Sequence, residues 1–135
     1  MRKINEIIVH CTATPAGREV TVQDIDRWHR TRGFRCIGYH YLVRLDGSVE
    51  DGRDIRLSGA HCYGHNLHSI GVAYVGGIDA DGQPADTRTP RQRHALRQLL
   101  ADLKGIYPAA HIRSHRDFAN KACPCFDATT EYADL

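Results

Sequence analysis

The chain has 135 residues, with 18 Lys+Arg against 16 Asp+Glu and a formal net charge of +2. That length suits one domain, and an apolar share of 41% with a charged share of 25% excludes disordered and fibrous classes. No run approaches the roughly 18 apolar residues of a membrane helix. A charge of +2 without a basic cluster is too small to hold a phosphate backbone. Neither a membrane nor a nucleic acid is therefore expected as a partner.

Glu6 to Cys11 is a short apolar run rich in β-branched residues, bounded by Thr12-Ala13-Thr14-Pro15. It predicts a buried central strand with the polar His10 near its end. Thr21 then caps a helix, with Asp24 three residues on, and Val22, Ile25, Trp28 and His29 share a face before Gly33 stops it. Beside Asp24 and Asp26, the cations Arg27, Arg30, Arg32 and Arg35 read as a solvated helix face, with contact to an anionic polymer as the alternative. Tyr39 to Leu45 alternates as a strand, and Asp46-Gly47 turns it into Ser48-Val49-Glu50. Ser69 to Val75 predicts another buried strand, ended by Gly76-Gly77, with a polar loop from Asp79 to Arg88.

Thr89-Pro90 with Gln92 opens a second helix with an N-cap, a proline in its first turn and a capping box. Leu96, Leu99, Leu100, Leu103, Ile106 and Tyr107 mark its apolar stripe. His111 to Ser114 predicts a short strand, and Thr129 to Asp134 one helical turn. Strands interleaved with helices, without repeat or linker, indicate a single α/β (α+β) domain over residues 1–135. Its expected architecture is a central mixed sheet flanked by helices.

The five cysteines, Cys11, Cys36, Cys62, Cys123 and Cys125, are odd in number and do not read as a disulfide framework. Met1 to Glu6 passes straight into a strand with no apolar leader, so synthesis and folding in a reducing cytoplasm without a signal peptide are expected. More informative is the segment Ser114 to Pro124, which carries His115 and, just before a proline, Cys123. His10 at a strand end stands where an α/β sheet delivers functional groups. Two histidines and one cysteine with a water make an open tetrahedral zinc site of the catalytic kind. Lys121 favours a thiolate at Cys123. From spacing alone, a hydrogen-bonded core histidine and an inert cysteine remain open readings.

The wording of five segments narrows this. Val9-His10-Cys11-Thr12-Ala13-Thr14, Gly38-Tyr39-His40-Tyr41, Gly59-Ala60-His61, Asn66-Leu67-His68-Ser69-Ile70-Gly71-Val72 and His115 through Lys121-Ala122-Cys123-Pro124 occur in that order. Together they resemble the type 2 N-acetylmuramoyl-L-alanine amidases, which include phage lysozymes and the animal peptidoglycan recognition proteins. The resemblance runs from Ile4 to Asp127.

It implies hydrolysis of the amide between the lactyl group of N-acetylmuramic acid and L-alanine of the peptidoglycan stem peptide. It also implies one Zn2+ per chain in a surface cleft. By position, the zinc ligands fall on His10, His115 and Cys123, the catalytic tyrosine on Tyr39 and the catalytic lysine on Lys121. Zinc would acidify its water and polarise the carbonyl, while Tyr39 and Lys121 would stabilise charge on the tetrahedral intermediate and help protonate the leaving amine. His61 is expected at the cleft rim, in substrate contact or proton handling, and His40 behind the site or in a structural role. Asn66 and Ser69 are expected to hold the loop that leads into the Ile70 to Val75 strand, with substrate contact at Asn66 as the alternative.

No separate wall-binding domain is expected. The expected partners are peptidoglycan and muropeptides, and the expected state is a monomer. Such a chain would reach the wall by holin-type lysis or signal-independent secretion, as a phage or prophage endolysin or antibacterial enzyme does. The alternative is a peptidoglycan-binding or regulatory protein on the same fold without turnover.

Overall fold

The structure, a computed structural model, describes all residues 1–135. Its strands are β1 (Glu6–Cys11), β2 (Thr14–Pro15), β3 (Tyr41–Val43), β4 (Val49–Asp51), β5 (Ser69–Tyr74), β6 (Gly77–Ile78) and β7 (His111–Ser114). The helices are α1 (Val22–Thr31), α2 (Pro90–Ile106) and α3 (Ala128–Glu131), with one 3-10 turn at His115–Asp117. No helix is long and apolar enough to cross a membrane.

Five strands form one mixed sheet in the order β4-β3-β5-β1-β7. Only the β3–β4 hairpin is antiparallel, and β1 lies between the parallel neighbours β5 and β7. A strand in that place is covered on both faces and must be apolar throughout. Accordingly every residue of β5 and all of β1 after Glu6 are buried.

Alternation along these strands divides the interior into two layers. Ile7, Val9, Cys11, Ile70, Val72 and Tyr74 face one side, packed with Leu96, Leu100 and Leu103 of α2 and with Ala128 and Tyr132 at α3. Leu42, Ala73 and Val75 face the other side and meet Val20, Ile25 and Ile37 around α1. A mixed sheet between helical layers is therefore the observed architecture.

The predicted helix starts are present. Thr21 Oγ1 accepts from the Asp24 N–H while Asp24 accepts from the Thr21 N–H, and Thr89 and Gln92 repeat the exchange at α2. Gln92 is fully buried, and its amide nitrogen also donates to the Val43 and Val75 carbonyls, joining helix to sheet. The apolar stripe stops short of the prediction, since Ile106 at the helix end is 66% exposed.

In the predicted turn, Asp46 Oδ1 accepts from the Ser48 N–H and hydroxyl, and Gly47 takes a φ of 88°. The strand expected from Tyr39 begins at Tyr41. Tyr39 and His40 instead offer their carbonyls to the Arg53 and Gly52 N–H groups, outside the regular ladder. The short β2–β6 pair has no periodic signal in its sequence.

Candidate metal centre and cleft

Strand register brings the first two candidate ligands together. Val9 pairs with Ser114 across β1 and β7, so the next residues, His10 and His115, leave adjacent parallel strands side by side. Their ring centroids are 4.5 Å apart. The Asp117 carboxylate accepts from the Ser114 N–H and from the Thr129 hydroxyl, which fixes the turn that follows β7. The Arg116 N–H then bonds the Cys123 carbonyl at 2.8 Å and closes the loop. This returns Cys123 to the two histidines.

The donor atoms of His10, His115 and Cys123 all lie within 4.8 Å of one another. Cys123 Sγ is 3.8 Å from His10 Nδ1, close to the roughly 3.6 Å edge of a tetrahedral site with ordinary Zn–N and Zn–S bonds. His115 Nδ1 is buried and has no hydrogen-bond partner, an arrangement that a bound cation satisfies. The donor set, its spacing and this orphaned nitrogen fit zinc.

The surroundings keep the donors in ligand form. Burial, reinforced by His61, His115 and Lys121, holds His10 well below the usual imidazole range, so it is neutral. His115 is lowered by burial and by the Lys121 charge. Cys123 is lowered mainly by its hydrogen bond from the Cys11 thiol, with help from the Cys11 N–H at 3.2 Å and from Lys121. The Cys11 thiol itself is pushed far up and stays protonated.

Behind the centre lies a buried chain of polar groups. His10 Nε2 is 2.8 Å from His61 Nδ1, and His61 Nε2 is 3.1 Å from the Ser69 hydroxyl. With the His10 Nδ1 lone pair directed toward Cys123, its proton belongs on Nε2, which donates to His61. His61 then carries its own proton on Nε2, toward Ser69. Gly71 makes room for this ring, because a Cβ there would lie 2.6 Å from the His61 imidazole.

Asn66 supports the same loop, its Oδ1 accepting from the His61 and Cys62 N–H groups at 2.9 and 3.0 Å. Both His61 and Asn66 also border the cleft. His40 is buried away from the donor cluster. Its Nδ1 accepts from the Gly71 N–H at 3.0 Å and its Nε2 donates to the Leu57 carbonyl at 2.8 Å. Burial pushes its pKa down to about 4.

Above the centre opens a cleft of about 560 Å³, bordered by Tyr39, His61, His115 and Lys121 among others, a size suited to a small ligand. The Tyr39 ring is 5.1 Å from that of His10. Burial and the nearby thiols Cys123 and Cys11 raise its pKa, so it presents a neutral phenol. Lys121 is exposed and borders the cleft close enough to lower both histidines.

Ser69, expected to hold the loop ahead of its strand, anchors His61. The aromatic walls of the cleft were less legible in the sequence. His29, expected on the packed face of its helix, is buried with Nδ1 accepting from the Gly38 N–H at 2.8 Å, and it also borders the cleft. Phe34 and Phe118, from separate segments, add apolar walls that no local pattern marks.

Relatives are similar to this chain over nearly its whole length. A sequence model of the N-acetylmuramoyl-L-alanine amidase family matches residues 1–126. The endolysin of Enterobacteria phage K11 is 47% identical over 126 residues, covering 93% of this chain and 83% of the relative. The endolysin of Escherichia phage T7 is 46% identical over 121 residues, covering 90% and 80%. Among solved structures, the N-acetylmuramoyl-L-alanine amidase LysC from Clostridium intestinale URNW is 30% identical with a TM-score of 0.80, covering 96% of this chain and 82% of that one. Drosophila PGRP-LB, 23% identical with a TM-score of 0.81 and covering 100% and 82%, shares the fold. The chain belongs to the N-acetylmuramoyl-L-alanine amidase family and is an amidase of the phage-endolysin kind.

Proposed function

We propose that this chain is a zinc-dependent lytic enzyme that hydrolyses the lactyl amide between N-acetylmuramic acid and L-alanine in peptidoglycan. His10, His115 and Cys123 hold the metal. The observation that carries this reading is their convergence, with an orphaned His115 nitrogen, beside the cleft that His115 borders. Zinc bound there supplies a Lewis acid for the carbonyl and brings the pKa of water to roughly 7.

The remaining work falls to groups in the cleft wall. Tyr39 Oη, kept protonated by its surroundings, donates a hydrogen bond to the carbonyl oxygen as negative charge develops on it. The Lys121 ammonium adds positive charge beside the same oxygen. The leaving amine takes its proton from one of these two donors. His61 holds His10 in the tautomer that leaves Nδ1 free for the metal. Every one of these groups comes from one chain, which supports a reading of residues 1–135 as a single catalytic domain working as a monomer on peptidoglycan reached after lysis.

The test is to incubate the protein with purified peptidoglycan and to analyse the released fragments by mass spectrometry. Free stem peptides beginning with L-alanine, beside glycan strands with intact lactyl groups, are expected. Binding to the wall without release of peptides would reject the reading.

A further inference from the structure

Three of the five cysteines gather at the metal centre, and the proposed reaction uses only Cys123. Cys11 ends β1 directly after the ligand His10, and Cys125 follows the ligand Cys123 by two residues. All five cysteines are free thiols. The Cys11 and Cys125 sulfurs are 3.9 Å apart, although the two residues are 114 positions apart in the chain.

The backbone is shaped to bring these sulfurs together. Cys125 takes a φ of 72°, a left-handed conformation that residues other than glycine rarely adopt. Its N–H bonds the Ala122 carbonyl at 2.7 Å, and the turn so formed returns its side chain to the end of β1. Gly77 makes room for the pair. A Cβ there would lie 2.6 Å from the Cys11 sulfur, and the Gly77 carbonyl is 3.5 Å from the sulfur of Cys125. With a disulfide bond of about 2.05 Å, each sulfur has roughly 1 Å to travel, which small side-chain rotations cover.

Cys123 is the competing partner, since it accepts a hydrogen bond from the Cys11 thiol. With Cys123 committed to the metal, Cys125 is the sulfur left for Cys11 to meet. We infer that Cys11 and Cys125 form a reversible disulfide under oxidising conditions, which fastens the two ligand-bearing segments together while Cys123 stays with the metal. The metal-sparing part rests on the zinc reading of the site.

The oxidant is a small-molecule disulfide such as oxidised glutathione. The Cys125 thiolate attacks one of its sulfurs and expels one glutathione thiolate, leaving a mixed disulfide. Cys11, its proton released, attacks the Cys125 sulfur and expels the second glutathione thiolate. Two electrons pass from the protein sulfurs to glutathione, and the two protons released are taken up by the two glutathione thiolates. The new bond spans 114 positions, so it restricts the unfolded chain strongly.

The experiment incubates the zinc-loaded protein with oxidised glutathione for hours at mildly alkaline pH, because burial pushes the Cys125 thiol up to about 12 and slows exchange. Remaining thiols are alkylated after denaturation. Peptides are then mapped by mass spectrometry, with fragmentation between Cys123 and Cys125 to assign the partner of Cys11. A Cys11–Cys125 peptide is expected, with zinc still at one per chain. The urea midpoint is expected to rise, making unfolding at a fixed urea concentration at least about tenfold less favourable. Dithiothreitol restores the original midpoint.

Cys125→Ser and Cys11→Ala each lose the linked peptide and the rise, with their own midpoints in reductant as baselines. Absence of the linked peptide from the native protein overturns the inference. So does a Cys11–Cys123 link in the zinc-loaded protein, or a Cys11–Cys125 link that leaves the midpoint where it was. If the protein takes up no zinc and the Cys11–Cys125 link still forms, the zinc reading fails and the disulfide stands.

Discussion

His61 Nδ1 lies 2.8 Å from His10 Nε2, on the side of the imidazole away from Cys123. The contact is buried, and Ser69 completes it at 3.1 Å. One metal-facing nitrogen is thereby prepared by a hydrogen bond at the other. Removing such a partner typically costs 10–100-fold in metal affinity. His61→Ala is therefore expected to weaken zinc binding by about that factor, read by competition with a chromophoric chelator. Gly71→Ala moves affinity in the same direction, since its Cβ displaces the His61 ring. Unchanged affinity in a folded His61→Ala protein contradicts this role.

On the proposed reading, Tyr39 assists the reaction without holding the metal. Tyr39→Phe is expected to lower kcat about 100-fold, the usual effect of deleting one donor to a developing oxyanion. Zinc content and peptide KM stay near native, as measured by metal analysis and steady-state kinetics. A matching fall in zinc content would make the tyrosine structural.

Stability should fall on the acid side. The folded-state pKa of His40 is about 4, lowered chiefly by burial from the usual 6.5. The neutral ring is thus favoured by folding, and its contribution is complete above pH 6.5 and lost as pH drops toward 4. A shift of this size corresponds to about 3 kcal/mol. His29, also lowered to about 4 by burial, acts with the same sign. Urea midpoints are expected to decline across that window. His40→Asn has a lower midpoint at pH 7 and a flatter decline, whereas an unchanged slope would show that His40 titrates alike in both states.

Arg88 anchors the C-terminal segment that backs the ligand loop. Its side chain is fully buried between Asp86 and Glu131, donates to Tyr132 Oη at 2.9 Å and lies 3.4 Å over the Phe126 ring. Arg88→Met leaves Glu131 without its partner and Asp86 with Arg93 alone, and is expected to lower unfolding free energy by about 2–4 kcal/mol. Arg88→Lys recovers little of it, because one ammonium cannot match two carboxylates as the planar fork does. Denaturant titration measures both.

The sequence revealed those parts of the fold and site that are written in local periodicity and caps. The apolar run at Glu6–Cys11, both capping boxes and the Asp46-Gly47 turn all appear where their chemistry placed them. Residue type and a strand end suggested that His10, His115 and Cys123 converge, and the ordered family segments narrowed that reading, because strand register has no signature in composition. The His61–Ser69 contact depends on how a loop and a strand end pack, which residue spacing does not encode. Asn66 holds the loop at His61 as expected, whereas the buried contact between His61 and His10 had no signal in the spacing.

The most direct test of the central claim is a zinc titration of the metal-free protein with peptidoglycan hydrolysis as the readout, run beside Cys123→Ser. The account predicts that release of L-alanine-ended peptides rises linearly and saturates at one zinc per chain, while the folded Cys123→Ser protein binds zinc weakly and releases none. Full activity in the metal-free protein, or native activity in Cys123→Ser, would contradict it.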